Sequence, residues 1–358
     1  MTVLKAPFPW FGGKSRAAPL IWEALGDVAN YVEPFCGSLA TVLGRPHAPR
    51  IEIVNDKDAF VANFWRAVSQ APDLVAEFAD WPVNEADLLA RHRWLVGQRA
   101  TRDQIRGDPN FYDARIAGWW AWGISQWIGD GWCSAIAENR EGPSADSDVP
   151  SKRLGALRGN GVHAKRPSVD PGFSKGVHSK KPDVGHPGHG REPLARGPFA
   201  VHEKKPDVDP RGDNLCRRGG LVEWFGALQG RLRLVRVLCG DWERALTPCV
   251  LGDRRPIGVV LDPPYAADER NMLYSEDDGQ ISVRVREWAL DHGADDSLRI
   301  ALCGYEGEHE MPSSWRVTEW KAQGGYGREE SGGAANRHRE RIWFSPGCLA
   351  SKQGRLFS

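Results

Sequence analysis

The chain has only three methionines and six tyrosines in 358 residues, no net charge, and no pair of cysteines at Cys-x-x-Cys spacing. Each shortage excludes something. Seven cysteines, at positions 36, 133, 216, 239, 249, 303 and 348, are odd in number and scattered, which argues against a zinc site and against a disulfide framework. Nothing approaches the roughly 20 apolar residues of a membrane span. The stretch Met1 to Lys14 lacks the apolar core of a signal peptide. A cytoplasmic protein is expected, without membrane or metal. There is also no G-x-G-x-x-G run, so a dinucleotide fingerprint is missing.

The zero net charge conceals an uneven distribution. Residues 151–220 hold 15 Lys and Arg against 7 Asp and Glu, together with 12 Gly and 8 Pro, a composition too poor in apolar residues to build a core. The segment repeats the pattern V-H-x-K-[KR]-P-x-V from Val162, Val177 and Val201. Each copy sets a basic pair before a proline: Lys165 and Arg166, Lys180 and Lys181, Lys204 and Lys205. Such pairs suit sequence-independent contacts to phosphates, with a solvated insert as the alternative. His163, His178 and His202 lack the close spacing of metal ligands.

Against that background the apolar run Ile257-Gly258-Val259-Val260-Leu261 reads as a buried parallel strand, and it leads directly into Asp262-Pro263-Pro264-Tyr265. In open α/β sheets ligands bind beyond the carboxyl ends of strands. The two prolines present no backbone N–H, so the adjoining carbonyls are rigid acceptors, flanked by an acid and an aromatic ring. That set suits a planar base with an exocyclic amino group: carboxylate and carbonyl accept its hydrogens, and the ring stacks on its face. A strand-ending turn is the plainer alternative.

Other segments supply the rest of a sheet. Tyr31-Val32 leads into the Gly turn Glu33-Pro34-Phe35-Cys36-Gly37-Ser38, after which Leu39 to Leu43 begins a helix. Ile51 to Val54 alternates as a strand ending at Asn55-Asp56, and Asp56 lies 19 residues after Gly37, the spacing at which an acid holds ribose hydroxyls in nucleotide folds. Residues 60–132 read mostly as helix, with a tryptophan-rich stretch from Trp119 to Trp132 that is mainly core; Trp127 or Trp132 is a candidate for stacking on bases. Order returns at Leu221. Further strands are expected at Arg231 to Cys239, followed by Gly240-Asp241-Trp242, at Arg299 to Cys303, and at Trp315 to Trp320 and Arg339 to Phe344. The expected class is α/β, a Rossmann-like sheet assembled from both ends of the chain (1–68 and 221–358), with residues 69–220 inserted as a mostly helical and irregular target-recognition region.

With these residues in place the chain resembles the Dam-type (class D12) adenine-specific DNA methyltransferases, particularly phage-encoded members. Trp10-Phe11-Gly12-Gly13-Lys14, Glu33-Pro34-Phe35-Cys36-Gly37, Asn55-Asp56 and Asp262-Pro263-Pro264-Tyr265 occur in that family's order; Leu39 stands where many relatives have Gly. The resemblance implies an S-adenosylmethionine-dependent methyltransferase sheet acting on double-stranded DNA as a monomer, without metal. Trp10 and Lys14 lie beside the cofactor, Phe35 and Gly37 under its amino-acid end, Asp56 on the ribose, and Asp241 and Trp242 beside the adenine ring. It implies direct displacement on a flipped-out adenine, with Asp262, Pro263, Pro264 and Tyr265 as the catalytic motif. Cytosine N4 or another nucleic-acid base as acceptor, and a catalytically silent DNA-binding relative, stay open. Pro248-Cys249 matches the nucleophile of cytosine-C5 methyltransferases but stands alone, without that family's other elements.

Overall fold

The computed structural model describes residues 4–10, 12–127, 132–133, 218–264, 280–320 and 339–350. A seven-stranded sheet organises them, in the order β3-β2-β1-β4-β5-β7-β6. Its strands are β1 (Asn30–Glu33), β2 (Ile51–Asp56), β3 (Val235–Cys239), β4 (Ile257–Leu261), β5 (Leu298–Tyr305), β6 (Arg316–Glu319) and β7 (Glu340–Phe344). The first five are parallel, while β7 runs antiparallel between β5 and β6. This is the mixed α/β, Rossmann-like arrangement expected, and β1 and β2 from one end of the chain do pair with strands from the other. The strand order reverses between β1 and β4, which opens a crevice at their carboxyl ends.

Period-two alternation divides the sheet between two apolar layers. Tyr31, Val260, Ala301 and Cys303 enter one, and Val32, Val259, Ile300 and Leu302 enter the other. The first layer is covered by α1 (Ala18–Leu25), α2 (Ala40–Leu43), α3 (Ala59–Gln70), α4 (Pro72–Ala79), α5 (Glu85–Val96), α6 (Arg99–Gly107), α7 (Ala114–Gln126) and α8 (Arg218–Leu232). The second packs on a short 3-10 turn (Trp242–Leu246), α9 (Pro248–Leu251) and α10 (Ile281–His292). Helix starts are written locally: Asp58, Asn84 and Asp113 accept from Phe60, Asp87 and Ile116 N–H groups and cap α3, α5 and α7. No described helix is long and apolar enough to cross a membrane.

Two sequence expectations are corrected here. Arg231 and Leu232 close helix α8 rather than opening a strand, because Leu221, Trp224, Phe225, Leu228 and Leu232 recur at helical spacing and are all buried. Arg231 then turns its guanidinium onto Glu52, at 2.6 and 2.9 Å, and onto the Val42 carbonyl. Trp132 is core: its ring fills the space over Gly123, and its Nε1 donates to the Trp120 carbonyl at 3.2 Å. Trp127 stacks on His92 with centroids 4.7 Å apart.

Candidate active site

The carboxyl ends of β1, β2 and β3 are stitched together by one amide. Asn55 Nδ2 donates to the carbonyls of Pro34 and Gly240, each at 3.0 Å, while Cys36 N–H donates to Asn55 O and Gly240 N–H to Asp56 O. The turn after β1 is consequently fixed. Gly37 there has φ +41, and a Cβ at that position would collide with the Trp10 indole, so the tryptophan lies flat against a glycine that no larger residue replaces. The Gly37 carbonyl accepts from Trp65 Nε1 at 2.8 Å, which anchors the loop to α3. Leu39 also takes a left-handed conformation, φ 53, with its side chain fully buried. Leu39 thus holds a backbone conformation that favours Gly while adding an apolar anchor, at a strain cost of about 1–2 kcal/mol.

Asp56 ends β2 beside this loop. Its Oδ2 accepts from Gly37 N–H and its Oδ1 from Asp58 N–H, both at 2.9 Å. Burial, with help from the Asp58 carboxylate, pushes its pKa up to about 7. Phe35 and Trp242 form an aromatic wall, centroids 6.1 Å apart and planes 26° apart, and the buried Trp242 Nε1 has no hydrogen-bond partner among the described residues. Asp241 caps the following 3-10 turn through Glu243 N–H. A carboxylate, a close-approach glycine, stacked aromatics and an unsatisfied indole N–H along one sheet edge fit a nucleoside with an amino-acid tail.

Asp262 ends β4, the neighbour of β1, with 20% of its side chain open to solvent. Lys14, only 4% exposed, sets its Nζ 2.8 Å from Asp262 Oδ1 and 2.9 Å from the Gly12 carbonyl. The motif placed this lysine beside the cofactor; the structure joins it to the acid of the Asp-Pro-Pro-Tyr motif. Burial, the largest single influence, would lower the Lys14 pKa, but Asp262, Cys303 and Glu340 together outweigh it and the net shift is upward. The indole of Trp320, just after β6, lies 5.5 Å beneath the ammonium, and neither Trp320 nor the buried Glu340 carries a motif signal. Glu33 is buried, accepts from Tyr31 Oη at 3.0 Å, and is pushed up to about 8, chiefly by burial and further by Asp262. Pro263 is buried and Pro264 half-buried.

Tyr265 lies outside the described residues, as do Lys165, Arg166, Lys180, Lys181, Lys204 and Lys205. Cys249 sits far from this crevice. Two residues on in the same helical turn, Leu251 O accepts from Asn30 Nδ2 at 2.8 Å at the start of β1. The length of strand β4, about 16 Å at roughly 3.3 Å per residue, separates that contact from Asp262. Among the described residues no group of three His, Cys, Asp or Glu could hold a metal ion.

No curated protein matches the chain. Residues 10–115, which hold Trp10, Lys14, the Gly37 loop and Asp56, match the family model of the D12 class N6 adenine-specific DNA methyltransferase, and this match supports an adenine-specific DNA methyltransferase of that class.

Proposed function

We propose that the protein transfers the methyl group of S-adenosylmethionine to N6 of an adenine rotated out of double-stranded DNA, with Asp262, Pro263, Pro264 and Tyr265 around the base. The observation that carries this reading is the position of Asp262, partly open to solvent at the end of β4 and beside the Gly37 loop of β1. Adenine N6 is a weak nucleophile because its lone pair is delocalised into the ring. A carboxylate and a neighbouring carbonyl that accept its two hydrogens draw the nitrogen toward tetrahedral geometry and stabilise the positive charge that develops on it. Pro263 and Pro264 offer no competing N–H, and Tyr265 holds the ring in line.

In the same reading, Trp10 lies beside the cofactor, Phe35 and Gly37 under its amino-acid end, Asp56 on its ribose, and Asp241 and Trp242 beside its adenine. When bound, the cofactor supplies an electrophilic sulfonium methyl. Residues 69–220 serve target recognition, and the enzyme acts as a cytoplasmic monomer.

The ribose assignment makes a prediction with a definite sign. A raised pKa near 7 means that Asp56 gains its charge as pH rises through neutrality, and only the ionised carboxylate accepts from both hydroxyls. Affinity for S-adenosylmethionine, measured by calorimetry, should therefore increase between about pH 6 and about pH 8 in the wild type, and the increase should vanish in Asp56→Asn. Asp56→Ala should bind at least about tenfold more weakly, the loss of roughly one charge-assisted hydrogen bond. Unchanged affinity in both variants would show that the ribose is held elsewhere.

The basic repeats are proposed to grip phosphates. Replacing Lys165, Arg166, Lys180, Lys181, Lys204 and Lys205 by Ala should weaken binding to all DNA sequences alike. It should also flatten the slope of log affinity against log salt, by roughly 0.9 for each phosphate that is no longer neutralised. Cofactor affinity should not change. A slope equal to that of the wild type would make the segment a solvated insert.

A further inference from the structure

We propose that Lys14 is a positioning residue for Asp262, holding its carboxylate aimed at the target amine, rather than a ligand of the cofactor; this rests on the reading of Asp262 as the acceptor for the target amine. Acidic groups from several elements act electrostatically on Lys14 and on one another. Asp262 comes from the end of β4, Glu33 from β1 and Glu340 from β7, and the Cys303 thiol from β5 borders them. Glu33 and Glu340 are 3% and 4% exposed. Like charges in so poorly hydrated a place cannot all ionise without a cation. Lys14 is the cation that meets them, and its ammonium touches Asp262.

The contacts of Lys14 define what it does. The Gly12 carbonyl and the Trp320 ring fix the ammonium from two other sides, so the lysine does not swing with the carboxylate but sets its orientation. The ammonium meets Asp262 as a carboxylate that accepts, whereas a protonated carboxyl would donate where the mechanism needs an acceptor. An ammonium is a point charge that engages one carboxylate oxygen; a guanidinium forks across both. A lysine at this position therefore supplies the charge while the carboxylate retains acceptor capacity for an amine.

The test compares the pH dependence of kcat with cofactor affinity in Lys14→Met and Lys14→Gln, with wild type and Asp262→Ala in the same assay. Lys14→Gln can bond both Gly12 O and Asp262, so it serves if the apolar variant does not fold. We expect kcat near neutrality to fall by roughly 10- to 100-fold, and the acid limb of the profile to move up by about one pH unit or more in the neutral variants. Affinity for S-adenosylmethionine by calorimetry should stay within about threefold of wild type, as expected for a group that does not touch the cofactor. Lys14→Arg should return the acid limb to its wild-type position. An unmoved acid limb, or a loss of cofactor affinity that accounts for the whole loss of activity, would overturn the role of Lys14 while the inactivity of Asp262→Ala kept the reading of Asp262 intact. An active Asp262→Ala would remove that reading and the role of Lys14 with it.

Discussion

Asp262→Ala is expected to lose methyl transfer by at least about 100-fold, near 3 kcal/mol of transition-state stabilisation, because the acceptor of the target amine is gone. The structure adds a consequence that the motif alone does not contain. Lys14 is 4% exposed and bonded to Asp262, so the alanine leaves a buried ammonium without its main partner and should also lower the melting temperature. Asp262→Asn separates the two effects. Its amide oxygen can accept from Lys14 and so preserve the fold, but it turns a donor toward the amine where the carboxylate accepted. Both variants should be inactive, with Asn melting closer to wild type. Cys249→Ser should be fully active, since its helix meets the sheet at the start of β1, the end opposite Asp262. A folded Asp262→Asn with wild-type turnover would mean that the acid has no part in catalysis.

The largest loss of stability is expected from Glu52→Ala, at the other end of the sheet. Glu52 is fully buried and bridges two arginines: Arg45 Nη1 at 3.2 Å, and Arg231, which grips both of its oxygens. Arg45, itself without side-chain exposure, also donates to the Val28 carbonyl, and Arg231 to the Val42 carbonyl, so the network ties β2 to α2, α8 and the turn before β1. Removing the carboxylate takes the main anionic partner from the buried Arg45 and the mostly buried Arg231 guanidinium groups. The cost should be about 3–5 kcal/mol, a fall of roughly 10 °C in melting temperature for a chain of this size. Arg50→Ala, which breaks an ion pair with Asp27 that is about half exposed on both sides, should melt with the wild type. Equal melting of Glu52→Ala and Arg50→Ala would show that the buried network carries no net stability.

What could be read from the sequence followed the range of each signal. Ile257–Leu261 is a continuous apolar run bounded by Pro and Asp, and it is a strand over those same five residues. The strands at Tyr31, Ile51 and Arg299 are legible for the same reason, since alternation and burial are local properties. The end of helix α8 is not legible, because the apolar residues Leu232, Leu234 and Val235 join two periodicities without a break, and only the spacing from Leu221 onward separates them. In the site, the Gly37 loop and Asp56 are marked by motifs that follow one another within 20 residues. The Lys14 and Asp262 pair is not: the residues lie some 250 positions apart, and only the insertion of β1 beside β4 brings them within bonding distance. Trp320 and Glu340 have no sequence signal at all. Their place around Lys14 comes from the antiparallel return of β7 between β5 and β6.

The most direct measurement supplies the purified protein with S-adenosylmethionine labelled in its methyl group and with DNA, digests the DNA to nucleosides, and identifies the one that carries the label. The account predicts label in N6-methyldeoxyadenosine, with none transferred by Asp262→Asn; label in N4-methyldeoxycytidine or 5-methyldeoxycytidine, or none in DNA, would contradict it.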